Sequence, residues 1–208
     1  MFGIHDFGVF LVTCLVLNIT PGPDTFYILG RSMTQGRSAG IASVLGIATG
    51  SLVHTFAAAL GLSALLAASA SAFLVVKLAG AAYLVYLGCK MLFSRAEAAS
   101  IPKGSSSSGF GAIYRQGLLT NVLNPKVALF FLAFMPQFIA AESPSKFAAF
   151  VVLGLSFTVT GTIWCLCLAW FSSLLGDRLR GSTKFGEILN RAAGALFVFL
   201  GVRLATTK

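Results

Sequence analysis

The chain has 208 residues, of which 57% are apolar and only 10% charged, with a mean hydropathy of +0.88. A soluble domain carries about 25% charged residues, so this composition excludes a globule covered by water and makes lipid the main solvent. The net charge of +9 sits in short segments between apolar runs, which excludes a nucleic-acid-binding face and reads as loop topology.

In lipid every backbone polar group is satisfied internally, which leaves helices or closed barrels. A barrel shows alternating segments of about ten residues. The runs here are long, unalternating and rich in Leu, Ala, Phe and Gly, so helices are expected. The first apolar segment covers 7–29. It has no basic region ahead of it and no small-residue cleavage site, and it reads as a retained first span rather than a signal peptide. Residues 38–76 contain no Asp, Glu, Lys or Arg. As helix they would be about 58 Å long, roughly twice a bilayer core. They therefore hold a second span and the start of a third, with a turn at 67–71 and the third span over 72–93. Residues 94–114 are Ser/Gly-rich and interrupted by Pro102, the composition of a flexible linker. The fourth span is expected over 116–141 and the fifth over 147–175. The sixth, 185–205, crosses only if Arg191 and Arg203 snorkel; a five-span chain stays open.

Basic residues orient the spans. Ten lie in or beside the loops joining spans one–two, three–four and five–six, and four lie on the opposite side. By the positive-inside rule the richer loops are cytoplasmic and both termini outside. The fold class expected is thus an all-α membrane protein. Its six transmembrane helices form two inverted three-helix repeats, 1–93 and 115–208, joined by the cytoplasmic linker 94–114. Helices 1 and 4 are broken, by Asn18-Ile-Thr-Pro21-Gly22-Pro23-Asp24 and by Asn121-Val-Leu-Asn124-Pro125-Lys126. Paired interruptions at matching places in two halves are the mark of a transporter's binding site.

The chemistry concentrates at these breaks. Proline removes a helix donor and clashes with the preceding turn, and the freed carbonyls must line protein or a watery cavity. Two readings of Asp24 are open: a cap at the cytoplasmic interface, or a substrate or proton site. Lys126 falls near the membrane midplane and needs a partner. An Asp24–Lys126 pair across the repeat interface is expected, either structural or functional. His54 shares a helix face with Gly46 and Gly50. The glycines permit close packing, and the histidine is weighed as a hydrogen-bonded core residue against a proton relay. Cys14, Cys89, Cys165 and Cys167 read as small buried hydrophobes. No nucleotide or metal motif is present, so no cofactor and no enzymatic activity are expected.

At these residues the chain resembles the LysE/RhtB family of bacterial amino-acid exporters, the homoserine/threonine/lysine efflux type. The segments that carry the resemblance are ITPGPDTFYILGRSMTQGRSAGIASVLGIATG, KLAGAAYLVYLGCKMLF and GLLTNVLNPKVALFFLAFMPQF, in that order within 19–138; beyond them the likeness is one of length and hydropathy. The resemblance implies a multi-pass inner-membrane secondary transporter that exports amino acids on the proton gradient. It implies a transport site at or near Pro21, Gly22, Pro23, Asp24, Asn124, Pro125 and Lys126. The expected partners are an amino-acid substrate, protons and the lipid bilayer, without nucleic acid; a homo-oligomer stays open.

Three alternatives compete. A thiol-relay electron carrier needs a cysteine in the fourth span, where there is none. A heavy-metal or other cation exporter wants clustered Cys, His or carboxylates in the membrane, and only Asp24 and His54 qualify. A scaffold would not carry two costly charges at helix breaks. With no second intramembrane carboxylate to hold a second cationic group, small neutral amino acids such as threonine, homoserine or leucine are favoured over basic ones.

Overall fold

The computed structural model describes residues 2–68, 70–93, 108–140 and 142–171, and then 191, 194–195, 198–199, 201–202 and 205–206. The described chain is helical, with one isolated bridge between Ile4 and Ile139. α1 (Phe7–Ile19) and α2 (Pro23–Gln35) meet at a 50° bend. α3 (Arg37–Ala57) runs through a π turn (Ala58–Leu62) into α4 (Ser63–Ala68). α5 (Ala70–Phe93) follows, then α6 (Phe110–Val122) and α7 (Pro125–Leu129). α7 continues as a π turn (Phe130–Phe134) and a short 3-10 helix (Met135–Phe138), and the segment from Pro125 to Phe138 makes a 46° bend with α6. α8 (Lys146–Trp170) is a single unbroken helix.

Two single helices, Arg37–Leu65 and Lys146–Trp170, are long and apolar enough to cross a membrane, and the two bent pairs bring the candidates to four. α4 ends at Ala68 and α5 begins at Ala70, within the segment 67–71 where a turn is expected; residue 69 lies outside the described residues. Most of the expected sixth span and most of the linker lie outside the described residues; of the span, 191, 194–195, 198–199, 201–202 and 205 are described. α6 begins at Phe110, ahead of the start expected at residue 116. Its polar first turns are not loop, because Tyr114 donates to Thr49 Oγ1 at 2.9 Å and Gln116 accepts from Arg31.

Lipid exposure shows on α8. Leu155, Val159, Ile163, Leu166 and Trp170 recur every three or four residues and are all exposed, an apolar stripe that water would not tolerate at this length. Internally, α3 packs most extensively on α6. Gly46, Gly50 and Gly117 make that contact possible. A Cβ at Gly50 would lie 2.7 Å from Asn121 Oδ1, and one at Gly117 2.8 Å from the Ser43 carbonyl. Small residues at a helix interface let backbones approach, as the spacing of Gly46 and Gly50 suggests. Gly194 and Gly201 serve α5 in the same way, approaching the carbonyls of Gly88 and Ala81 at 2.7 and 2.8 Å from their ideal Cβ positions.

The two bent pairs run antiparallel. At one end the chain before α1 is tied to the chain after the 3-10 helix: His5 N–H donates to Phe138 O at 3.0 Å, and Ala140 N–H to Gly3 O at 2.9 Å. At the other end α2 meets α6 where the Tyr27 hydroxyl donates to Ile113 O at 2.7 Å. The breaks therefore face each other midway. An aromatic core fills the first end. Phe130 stacks on Phe157 at 4.8 Å, and Phe138 meets Phe10 at 5.2 Å and Phe134 at 5.0 Å.

Candidate functional site

The two breaks share a plan. Asn18 and Asn121 are each the next-to-last residue of the first half-helix. Pro23 and Pro125 each open the second half-helix at its first position, where a missing N–H costs nothing. Asp24 and Lys126 each follow, in the same place with opposite sign. Asn124 caps its half-helix by accepting from Lys126 N–H at 3.1 Å, whereas Gly22 holds the equivalent place in extended conformation without a side chain.

Each break withdraws one helical N–H donor in a defined place. In an α-helix the carbonyl of residue i accepts from the N–H of residue i+4. Residue i+4 of Leu17 is Pro21, and residue i+4 of Asn121 is Pro125. Neither proline has an N–H. The opposite half supplies side-chain donors at both places: Lys126 Nζ donates to Leu17 O at 2.8 Å and to Thr20 O at 2.8 Å, and His54 Nε2 lies 3.2 Å from Asn121 O, which also accepts from Asn124 N–H at 3.0 Å. A carbonyl only accepts, so the His54 nitrogen in that bond carries the proton. His54, half-buried, also stacks on Phe131 at 5.6 Å.

The expected Asp24–Lys126 ion pair is not formed. Among the described residues the one ion pair within 4.0 Å is His5–Asp6. Lys126 lies in the first turn of α7, where the helix dipole disfavours a cation, and it reaches to the carbonyl end of α1, where the dipole favours one. Asp24 lies in the first turn of α2, where the dipole suits it. Its Oδ2 accepts from Asn121 Nδ2 at 2.8 Å. Its Oδ1 is buried and has no protein hydrogen-bond partner; Asn124 neighbours the carboxylate without completing a bond to that oxygen.

Both charges nonetheless line one cavity of about 40 Å³. Of the residues expected at the site, Gly22, Asp24, Asn124 and Lys126 line it, while Pro21, Pro23 and Pro125 shape the breaks behind them. Asn121, which is 1% exposed, is the organising residue that the sequence reading left out of the site. Its amide holds Asp24, and Ser51 reaches its Oδ1 at 3.5 Å. The paired Asn-x-x motif was its one sequence signal. α8 closes the cavity with Phe157, Thr158 and Gly161, and α3 adds Val44 and Ile47. The breaks thus bring the charged and amide groups, while α3 and α8 bring apolar side chains together with the hydroxyls of Ser51, Thr158 and Thr162. At that volume the cavity has room for a few waters, so any larger occupant requires the surrounding helices to part. Among the described residues no three His, Cys, Asp or Glu side chains converge as a metal site would require.

Comparison with known proteins gives these residues a context. The family model for the LysE type translocator matches residues 15–208, which carries the likeness to the end of the chain, past the motifs at 19–138. A leucine efflux protein of Salmonella choleraesuis is 27% identical over all of this chain and 98% of its own length. A leucine efflux protein of Klebsiella pneumoniae is 29% identical with the same coverage. The uncharacterized membrane protein YrhP of Bacillus subtilis is 30% identical over 96% of this chain and 98% of its own. No solved structure matches.

Proposed function

The chain belongs to the LysE type translocator family, transporters rather than enzymes, and from that premise we propose that it exports amino acids across a bacterial inner membrane. We infer that export is proton-driven, that small neutral amino acids are the substrates, and that the cavity between the two breaks is the transport site. One observation carries this reading. A carboxylate and an ammonium from opposite breaks line the same cavity without forming an ion pair with each other. An amino-acid zwitterion needs that arrangement: an acceptor for its ammonium at Asp24 and donors for its carboxylate at Lys126 and Asn124.

The rest of the lining favours a neutral side chain. Val44, Ile47 and Phe157 face the cavity, and Asp24 is the one carboxylate in the lining. A lysine or arginine side chain would bring a second cation there without an anionic partner. The names of the leucine efflux proteins point the same way. The wider architecture belongs to the same proposal: six spans, two inverted repeats in 1–93 and 115–208, a cytoplasmic linker at 94–114 and both termini outside. It is supported by the antiparallel run of the bent pairs and by their shared plan of asparagine, proline and charge. Efflux of radiolabelled threonine, leucine, lysine and arginine from cells expressing the chain tests the substrate. Export of threonine or leucine is expected; rapid export of lysine or arginine with the neutral pair retained would overturn the assignment.

A further inference from the structure

A buried carboxylate is costly unless it is paired or protonated. Asp24 has one oxygen held by the Asn121 amide and the other buried without a completed hydrogen bond, with the Asn124 side chain in reach of the carboxylate. The cation best placed to neutralise it is committed elsewhere, because Lys126 spends two of its three donors on the carbonyls of Leu17 and Thr20. Asn121 contributes a dipole and no charge. The other ionisable groups in electrostatic reach are His54 on α3 and Cys165 on α8. His54 is engaged with Asn121 O, and Cys165 offers no cation. The nearest contribution of α6 is the Asn121 amide. The empty site therefore contains an anion whose nearby cation, Lys126, acts on it only at a distance and not through an ion pair or a hydrogen bond.

We propose that Oδ1 of Asp24 is a single seat taken in turn by a proton and by the substrate's ammonium group, so that each excludes the other. The proposal rests on the export reading and specifies how the gradient is coupled to it. The balance is simple. With the cavity open to the cytoplasm, the O–H bond of the protonated Asp24 breaks and its proton passes to water. The carboxylate left behind accepts a hydrogen bond from the R–NH3+ of the incoming zwitterion. With the cavity open to the other side the zwitterion leaves, and a proton from that side re-forms the O–H bond. One proton enters for each amino acid exported, and neither electrons nor a further co-reactant are needed. Because a carboxylate with no partner is the unfavourable state in both orientations, the site changes orientation occupied, and the two flows stay linked.

The test uses the full chain purified in detergent and weakly buffered, with leucine and threonine as probes. Proton release on substrate addition is followed with a pH indicator between about pH 5 and pH 9, a window chosen to span shifted carboxylates and histidine. The expected result is release approaching one proton per substrate bound over part of that range, with apparent affinity weakening as pH falls. Asp24→Asn should release none, and His54→Gln should still release. Substrate binding without proton release at any pH overturns the shared seat and leaves the export reading standing. Release that persists in Asp24→Asn but disappears in His54→Gln also overturns it, placing the proton on the histidine. Absence of leucine and threonine binding at every pH overturns both.

Discussion

Asn121→Ala isolates the residue that positions Asp24. The substitution keeps the backbone carbonyl, so the contacts from His54 Nε2 and from Asn124 N–H persist. What it removes is the 2.8 Å amide–carboxylate bond and the weak reach from Ser51. A hydrogen bond to a charged group contributes about 1.5–3 kcal/mol. If all of that appears in substrate binding, affinity falls about 10- to 150-fold. Asn121→Asp sets two carboxylates against each other and should be worse than alanine. The double variant Asp24→Asn/Asn121→Asp then restores one amide and one carboxylate across the same gap with their roles exchanged. Contacting residues couple by about 0.5–3 kcal/mol in such cycles, so the double variant should recover stability lost in Asn121→Asp. Leucine binding and melting temperature of the purified variants supply the readouts. Wild-type affinity and stability in Asn121→Ala, or strict additivity in the cycle, would refute the idea that this bond organises the site.

Gly50→Ala places a methyl 2.7 Å from Asn121 Oδ1 and should cost about 1–3 kcal/mol through overpacking, whereas Gly111→Ala on α6 meets nothing within 4 Å and should be neutral or stabilising; melting temperatures in detergent compare the two. Lys126→Met leaves two buried carbonyls without their donor, each at a cost of about 1–3 kcal/mol, and should lower the melting temperature, while an unchanged value would show that the ammonium does not hold the end of α1. A single cysteine introduced at Ser106 should resist an impermeant thiol reagent in spheroplasts and react in inverted vesicles, and labelling in spheroplasts would refute the orientation.

Much of this arrangement is legible in residue types, and the unreadable part has a physical cause. Composition excludes a soluble fold, and the Pro21–Pro23 and Pro125 breaks fall where the helices bend. Gly46 and Gly50 lie on the contact with α6, as their spacing implies. The start of α6 at Phe110 is hidden because the segment up to Tyr114 and Arg115 looks like loop by polarity. The Tyr114 hydroxyl is satisfied by Thr49 from another helix, which a single-segment reading does not see. The Asp24–Lys126 pair was inferred by matching formal charges, the strongest attraction visible in a list of residues. Backbone carbonyls do not appear in such a list, and Leu17 and Thr20 offer two of them within 2.8 Å.

The two prolines explain why carbonyls outcompete the carboxylate. Pro21 withdraws the donor due to Leu17 O, and Pro125 withdraws the donor due to Asn121 O. Both residues are buried, Leu17 at 2% and Asn121 at 1% exposure; Asn121 O keeps a turn bond from Asn124 N–H at 3.0 Å, whereas Leu17 O depends on Lys126, since in a membrane span it cannot turn to water. Each carbonyl is met by a side chain from the other half, Lys126 or His54, so the halves are stitched together by exchanged donors at both breaks. A lysine that satisfied Asp24 instead would neutralise one buried charge but strand two buried carbonyls. By staying on α1 it leaves Asp24 unpaired and accessible to a mobile cation. The same substitution of proline for an ordinary helical residue therefore breaks the span, recruits Lys126 and leaves the carboxylate open. The opposite signs at the two matching positions fit that division of labour: the positive one ties the halves together, and on the proposed function the negative one is left for what passes between them.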